Sequence, residues 1–434
     1  MVTCIAIIYL IMGEEVMTFD DVDYFEALEL VEDPYPYFEY LRQQGPVVYL
    51  PKHNVVAIVG YEEGVQVMKD HETFSSINSA TGPLPPLPFE TQEEDLTEML
   101  MAYRDQMPYG SMLVTQDPPD HTRSRFLLVG LFSPQRMKEV ESFISESLSE
   151  LIDAFLAKKS FEVLKEYAHP IATLTVAELL GVPKGDHEKF LPLFGPLPGQ
   201  IGSDIALENN PMEAVGMYFY QYIAERRANP TDDVMTKLAF AKNPDGSLPD
   251  IAEIVSHAAV VFGAGQDTTV RLILAALKTL AQNPDMQSQL RSDKTLIKPF
   301  IEEVLRVDGP TKAHFRLAKR KAMIGNVEVL PGMVVMLMQS AMRRDPRVFD
   351  EPNTFKIDRN NIHTQVAFGK GVHTCIGAPL ARLEARLAIE KILDRTSLIS
   401  IDEDVHGKAG SQVFEYEANY TQRALRALNL KFTV

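Results

Sequence analysis

The stretch "FGKGVHTCIGAPLAR", Phe368 to Arg382, decides how this chain is read. A single thiol, Cys375, is set among Gly369, Gly371 and Gly377, directly ahead of the helical pattern "APLARLEARLAIEKIL". That places the sulfur near a helix N-terminus. There the free N–H groups and the positive end of the helix dipole favour a thiolate. Gly369 and Gly371 permit a tight turn that aims backbone N–H groups at the sulfur. Gly377 permits a flat ligand to approach the backbone closely. Taken alone, a cysteine ahead of a helix is usually a small core residue. The spacing of its neighbours argues for a ligand.

Composition narrows the classes. The chain has 434 residues, is 45% hydrophobic and 24% charged, and so has the balance of a globular protein. Its net charge of -18 argues against nucleic acid as a partner, because phosphate binding needs a basic footprint. Two cysteines, Cys4 and Cys375, exclude a disulfide framework and suit a reducing compartment, so a cytoplasmic location is expected. The run "CIAIIYLIM" near the N-terminus is too short to span a bilayer, and no basic residue precedes Arg42. Residues 1–16 read as a non-structural extension with Met17 as the start. The alternative is a peripheral membrane anchor. Residues 17–434 read as one domain.

Further out, helical periodicity dominates from Pro134, as in "PQRMKEVESFISESLSELIDAFLA". "NPTDDVMTKLAFA" reads as a turn and a capped helix start. "VVYLPKHNVVAIV" reads as a hairpin around "KHN", and "NVEVLPGMVVMLMQSAM" as two strands about a Pro-Gly turn. "TQRALRALNLKFTV" reads as terminal strand. The expected class is therefore mainly α with small β-sheets (α+β). Segments 80–111 and 190–202, rich in Pro and apolar residues, read as lid segments, the first with a short helix near "EDLTEMLMAYRD". One more stretch resists a plain helical reading. "FGAGQDTTV", Phe262 to Val270, places two glycines, an acid and two threonines inside a long apolar helix. Each interior glycine costs roughly 1 kcal/mol against alanine. The bland explanation is a kink with a polar cap.

Phe368-x-x-Gly371-x-His373-x-Cys375-x-Gly377 resembles the haem-binding signature of the cytochrome P450 family. The family often has Arg where His373 stands. The resemblance implies Cys375 as the thiolate ligand of haem b iron, shielded by Phe368, with Gly369, His373 and Gly377 beside the cofactor. Thiolate ligation that favours O–O cleavage is the known property of this family, and the resemblance implies it for this chain. "EEVLR" is similar to the family's buried ion pair, Glu303 with Arg306, joined downstream by Arg359. "DPPDHTRSR" resembles the segment that supplies two propionate partners, His121 and Arg125. "HFRLA" adds Arg316, with His314 as a further candidate. "AGQDTT" resembles the oxygen-activation motif, with Ala264 and Gly265 against the haem and Thr268 and Asp267 delivering protons.

The resemblance implies a cytochrome P450 fold, with haem between a long distal helix and the Cys-loop helix. It also implies a haem-thiolate monooxygenase that uses O2 and electrons from NAD(P)H. With no flavin or iron–sulfur segment, those electrons come through separate proteins, a ferredoxin with ferredoxin reductase. Lys370, Arg125, Arg382 and Arg386 form a candidate basic face for that partner. The expected substrate is small and hydrophobic: a terpenoid, steroid, fatty acid or aromatic. Val261, Ala264, Gly265, Lys312 to Phe315, Thr421 and Gln422 are the candidate pocket residues. A monomer without stable membrane insertion is expected. The alternatives are a peroxide-driven peroxygenase, a non-enzymatic haem sensor, and an all-helical binding protein without haem.

Overall fold

The computed structural model describes residues 19–83, 85–158, 160–193, 201 and 211–434. The extension expected over residues 1–16, and residues 194–200 and 202 of the second lid segment, lie outside the described residues. Among these, seven helices position the site: α1 (Asp120–Leu128), α2 (Pro134–Leu156), α3 (His169–Leu180), α4 (Pro211–Ala228), α5 (Ile251–Ala281), α6 (Ile297–Asp308) and α7 (Ala378–Arg395).

Helix α5 is the axis. Its start is set by Asp250, whose carboxylate accepts from the Glu253 N–H at 2.7 Å. Residues His257–Phe262 and Val270–Leu277 are buried without interruption, so the helix is covered on every side. Helices α3, α4, α6 and α7 pack around it. It is long and apolar enough to cross a membrane, but most of it is buried inside the protein, as suits a core helix. The helix runs unbroken through "FGAGQDTT". Helix α2 begins as the sequence pattern requires: Ser133 caps the Arg136 N–H and Pro134 occupies the first turn.

The strands are β1 (Val47–Leu50), β2 (Val55–Ile58), β3 (Phe74–Ser75), β4 (Ser160–Glu162), β5 (His314–Ala318), β6 (Ala322–Ile324), β7 (Val327–Val329), β8 (Val334–Leu337), β9 (Leu398–Ile401) and β10 (Asn429–Thr433). They form sheets ordered β1-β2-β8-β5-β3, β4-β10-β9 and β6-β7. The "KHN" hairpin is present, with Val47 opposite Ile58 and Asn54 at φ 52° closing the turn. The strands about Pro331-Gly332 form but do not pair with each other. β8 lies between β2 and β5, while β7 pairs with β6. The reason is burial. Val335, Met336 and Leu337 are fully buried and need partners on both edges, whereas β7 exposes Glu328. Of the terminal stretch only Asn429–Thr433 is strand. The preceding loop is fastened by the bridges Thr311–Gln422 and Tyr416–Leu425. Within segment 80–111, a helix spans Thr97–Ala102.

Candidate functional site

The Cys375 loop has the predicted backbone. Gly369 and Gly371 adopt φ +69° and +75°. A Cβ on Gly371 would lie 2.4 Å from the Met68 carbonyl oxygen, so the turn also needs the missing side chain. The Cys375 N–H donates to the Phe368 carbonyl at 2.9 Å. The Gly377 and Ala378 N–H groups face the sulfur, and Arg125 and Arg382 add positive charge. Burial nevertheless outweighs these and pushes the thiol up. The residue itself has accessible surface. Both facts hold when the sulfur opens onto enclosed space rather than bulk water. Gly377 caps α7, and the chain leaves room for a Cβ there, 3.8 Å from the Cys375 Sγ. The Arg382 guanidinium lies 4.4 Å from the Phe368 ring centroid.

On α5, Ala264 is exposed and Thr268, one turn on, is half-exposed, in the middle of a helix buried by four others. Such residues face an internal opening. The Thr268 hydroxyl donates to the Ala264 carbonyl at 2.8 Å. Gly265 points elsewhere: a Cβ there would come 2.9 Å from Val176 Cγ2 on α3. Its missing side chain thus lets two helices approach, and the cofactor contact expected of it is not what requires a glycine. Asp267 is buried against Arg271 at 2.8 Å, and Arg271 also holds Glu417 at 2.8 Å and the Leu425 carbonyl at 2.7 Å. Burial raises the Asp267 carboxyl above the ordinary range although Arg271 opposes this. Its second oxygen, Oδ2, is buried without a hydrogen-bond partner among the described residues. The sequence reading missed Arg271, although its i+4 spacing from Asp267 was visible.

His121, Arg125, Arg316 and His373, from three separate segments, form one cluster of bases, with His121 and Arg316 buried and Arg125 and His373 half-buried. The His121 and His373 rings lie 4.0 Å apart. His121 is pushed down to about 4 by burial, then by Arg125 and Arg316. His373 falls to about 2 by burial, Arg316 and His121. Burial takes Arg316 down to about 10, with only Asp117 opposing it. His314, on the same face of β5, is lowered to about 4 by burial and Arg316. Among the described residues the His121 Nδ1 and His373 Nε2 are buried without hydrogen-bond partners. Four bases that repel one another are expensive to bury without an anion. The arrangement fits a ligand that brings two carboxylates.

The surrounding frame is also in place. Glu303 and Arg306 are fully buried and paired at 2.7 Å, and Arg359 joins Glu303 at 2.9 Å. Lys312 is tied to the C-terminal loop, its N–H donating to the Thr421 carbonyl at 2.7 Å. On the face beside α7, Arg382 pairs with Glu302, and Arg386 with Glu141 and Glu390. The basic face expected there is therefore partly neutralised. A cavity of about 380 Å³ opens among Lys298, Glu302, Arg382 and Arg386. Among the described residues no cluster of His, Cys, Asp or Glu could hold a metal ion alone. An iron at Cys375 would need a ligand that brings the rest of its coordination.

A family model described as cytochrome P450 matches residues 172–409. The chain is 32% identical over 381 residues to a biotin biosynthesis cytochrome P450 of Bacillus subtilis, covering 86% of this chain and 91% of that one. It superposes on the substrate-free structure of cytochrome P450 CYP150A6 of Mycobacterium marinum with TM-score 0.91 and 42% identity, covering 96% and 99% of the two chains. It also superposes on P450BioI in complex with hexadec-9Z-enoic acid ligated acyl carrier protein, with TM-score 0.76 and 26% identity, covering 93% and 100%. Sequence, fold and the setting of the single core thiol agree: the chain belongs to the cytochrome P450 family, as a haem-dependent monooxygenase that takes O2 and electrons from redox partners.

Proposed function

We propose that Cys375, Ala264 and Thr268 line one cavity that holds haem b and admits a small hydrophobic substrate. The observation that carries this reading is the pairing of Cys375, under two N–H groups, with four clustered bases, His121, Arg125, Arg316 and His373, that make no ion pair with a carboxylate among the described residues. Cys375 Sγ would hold the iron. His121, Arg125, Arg316 and His373 would hold the propionates, as charge-assisted donors do for paired carboxylates. His314 would support them from β5. Bound there, haem supplies oxygen activation and transfer.

The chain's own part is to exclude water, orient the substrate and move protons. The Thr268 hydroxyl can release the Ala264 carbonyl and turn into the cavity. The raised carboxyl of Asp267 can carry a proton when it leaves Arg271. This Asp267–Thr268 pair favours the monooxygenase over the peroxide-driven reading. Hydrophobic substrates of terpenoid, steroid, fatty acid or aromatic type suit the apolar segments 80–111 and 190–202. The relative solved with an acyl carrier protein accepts a fatty acyl chain. Electrons would come from NAD(P)H through a ferredoxin and its reductase, docking near Arg382 and Arg386. A monomeric, cytoplasmic enzyme, with residues 17–434 as one domain, completes the proposal.

The test is spectroscopic and kinetic. Reduced protein with carbon monoxide should give the red-shifted thiolate-type band, and Cys375→Ser should abolish it. Turnover should need NAD(P)H and redox proteins. Activity with peroxide and none with NAD(P)H would favour the peroxygenase.

A further inference from the structure

Arg271 answers two acids at once. Its Nη2 lies 2.8 Å from the Oδ1 of Asp267, one turn back on α5, and 2.8 Å from the Oε1 of Glu417 on the C-terminal loop. The guanidinium is held by the loop as well as by its own helix. Nη2 donates to Glu417, and Nη1 donates to the Leu425 carbonyl at 2.7 Å. The loop is itself fastened: the Glu417 N–H donates to the Ala424 carbonyl at 2.8 Å, and Arg423 holds Asp308 at 2.7 Å. Arg271 therefore keeps a charged partner when Asp267 turns away. The two acids differ in their access to water. The Glu417 side chain is 33% exposed, and that of Asp267 is 4% exposed.

One guanidinium cannot neutralise two carboxylates. With both ionised, one negative charge is left over in a place nearly sealed from water. A proton on the more buried acid removes it, as it does where two carboxylates share one site. Asp267 follows this pattern: its carboxyl is raised by burial, lowered by Arg271 and raised again by Glu417. Those two are the charged groups that act on it. Its Oδ1 faces Arg271, so Oδ2 is the oxygen that takes the proton. Other titratable groups sit on the helices packed against α5. His169, at the start of α3, is lowered by burial and then by Arg271, so it adds no positive charge at neutral pH. Glu384, the fully buried acid of α7, lies beside Thr175 of α3. Glu303 and Arg306 of α6 answer each other.

We propose that Glu417 is a positioning residue for proton delivery: by sharing Arg271, it leaves Asp267 free to take up a proton and turn it toward Thr268. The inference rests on the reading of Asp267 and Thr268 above and adds the residue that works behind them, through Arg271. The proton enters from water at the Glu417 edge of the group, is held on Asp267 Oδ2 and leaves toward the Thr268 hydroxyl. Asp267 then returns as a carboxylate to Arg271, and Glu417 keeps that pairing weak enough to be broken again. Without Glu417 the guanidinium would belong to Asp267 alone, as a closed buried ion pair.

The test compares wild type, E417Q, E417D and D267N as purified ferric holoenzymes. Infrared spectra of the resting protein show a protonated Asp267 as the carboxylic C=O band that D267N removes. In wild type this band should be present at about pH 5, where an ordinary aspartate is ionised. In E417Q its titration midpoint should fall by about one pH unit, a roughly tenfold weaker hold on the proton. Turnover by E417Q should fall about tenfold at pH 7.5 with KM unchanged. The alkaline limb of its kcat profile should move to lower pH, because Asp267 loses its proton earlier, and the solvent isotope effect on kcat should rise. E417D should recover most of the midpoint and of the rate. A merely structural role would lower haem content and kcat together and leave the midpoint and the limb in place, and that result overturns the proposal. Absence of the band in wild type overturns it whether or not E417Q folds. Full-rate, coupled turnover by D267N fails the proton-delivery reading itself. With D267N impaired, the E417Q result bears on Glu417 alone.

Discussion

At the scale of single residues, Thr268 and Asp267 are neighbours in sequence but serve different surroundings. The Thr268 hydroxyl is bonded to its own helix beside the opening, while Asp267 is sealed against Arg271. Thr268→Ala should therefore leave haem binding and the carbon monoxide spectrum intact. NAD(P)H consumption should then uncouple into peroxide, measured as peroxide formed per NAD(P)H. Asp267→Asn removes the titrating carboxyl and should lower kcat about a hundredfold at unchanged substrate binding. Coupled, full-rate turnover in both variants would mean that the polar notch in α5 is structural only. At Cys375, helix position alone suggested a stabilised thiolate, but burial outweighs the N–H groups and pushes the thiol up.

At the scale of elements, α5 owes its place to one missing side chain. Gly265→Ala would push a methyl to 2.9 Å from Val176 Cγ2. Overpacking of this kind costs about 1–3 kcal/mol. Val176→Ala alone should also destabilise, but the double variant should lose less than the sum, measured as a coupling energy in chemical denaturation. Additive losses would show that the helices do not meet at these residues. The buried Glu303–Arg306 pair is held to a third member, Arg359. Removing one partner of such a pair typically costs about 3–5 kcal/mol. Glu303→Ala should thus yield little folded holoenzyme, measured as haem content per protein.

At the scale of the whole molecule, the buried bases couple stability to pH. His121 and His314 are lowered from 6.5 to about 4. Between these values the unfolded chain binds protons that the fold refuses, so stability falls as pH drops from about 6.5 toward 4. It is unaffected by these rings above that window. From pH 7 to 5 the loss is about 2 kcal/mol per imidazole. Carboxylates brought by bound haem would favour the protonated rings and flatten the slope. Melting temperatures at pH 7.5 and 5.0 should therefore diverge more for apoprotein than for holoprotein, and apo His121→Gln should lie between them. Parallel profiles would separate the base cluster from the cofactor.

Much was legible in the sequence because it depends on neighbours along the chain. The glycine turn before α7, the helix from Pro134, the start of the helix Val234–Ala239 capped by Asp233, the hairpin at Val47–Ile58 and the pairing of Glu303 with Arg306 are local geometry, set by φ preferences and by i+3 or i+4 spacing. What the sequence could not decide was which distant groups meet. The partner of β8, the close approach of Gly265 to Val176 and the turn of Asp267 toward Arg271 and Glu417 each depend on contacts between remote segments. The chemistry of the site was written in residue types, but whether each charge is answered or left open was decided only by the packing that brings far parts of the chain together and keeps water out.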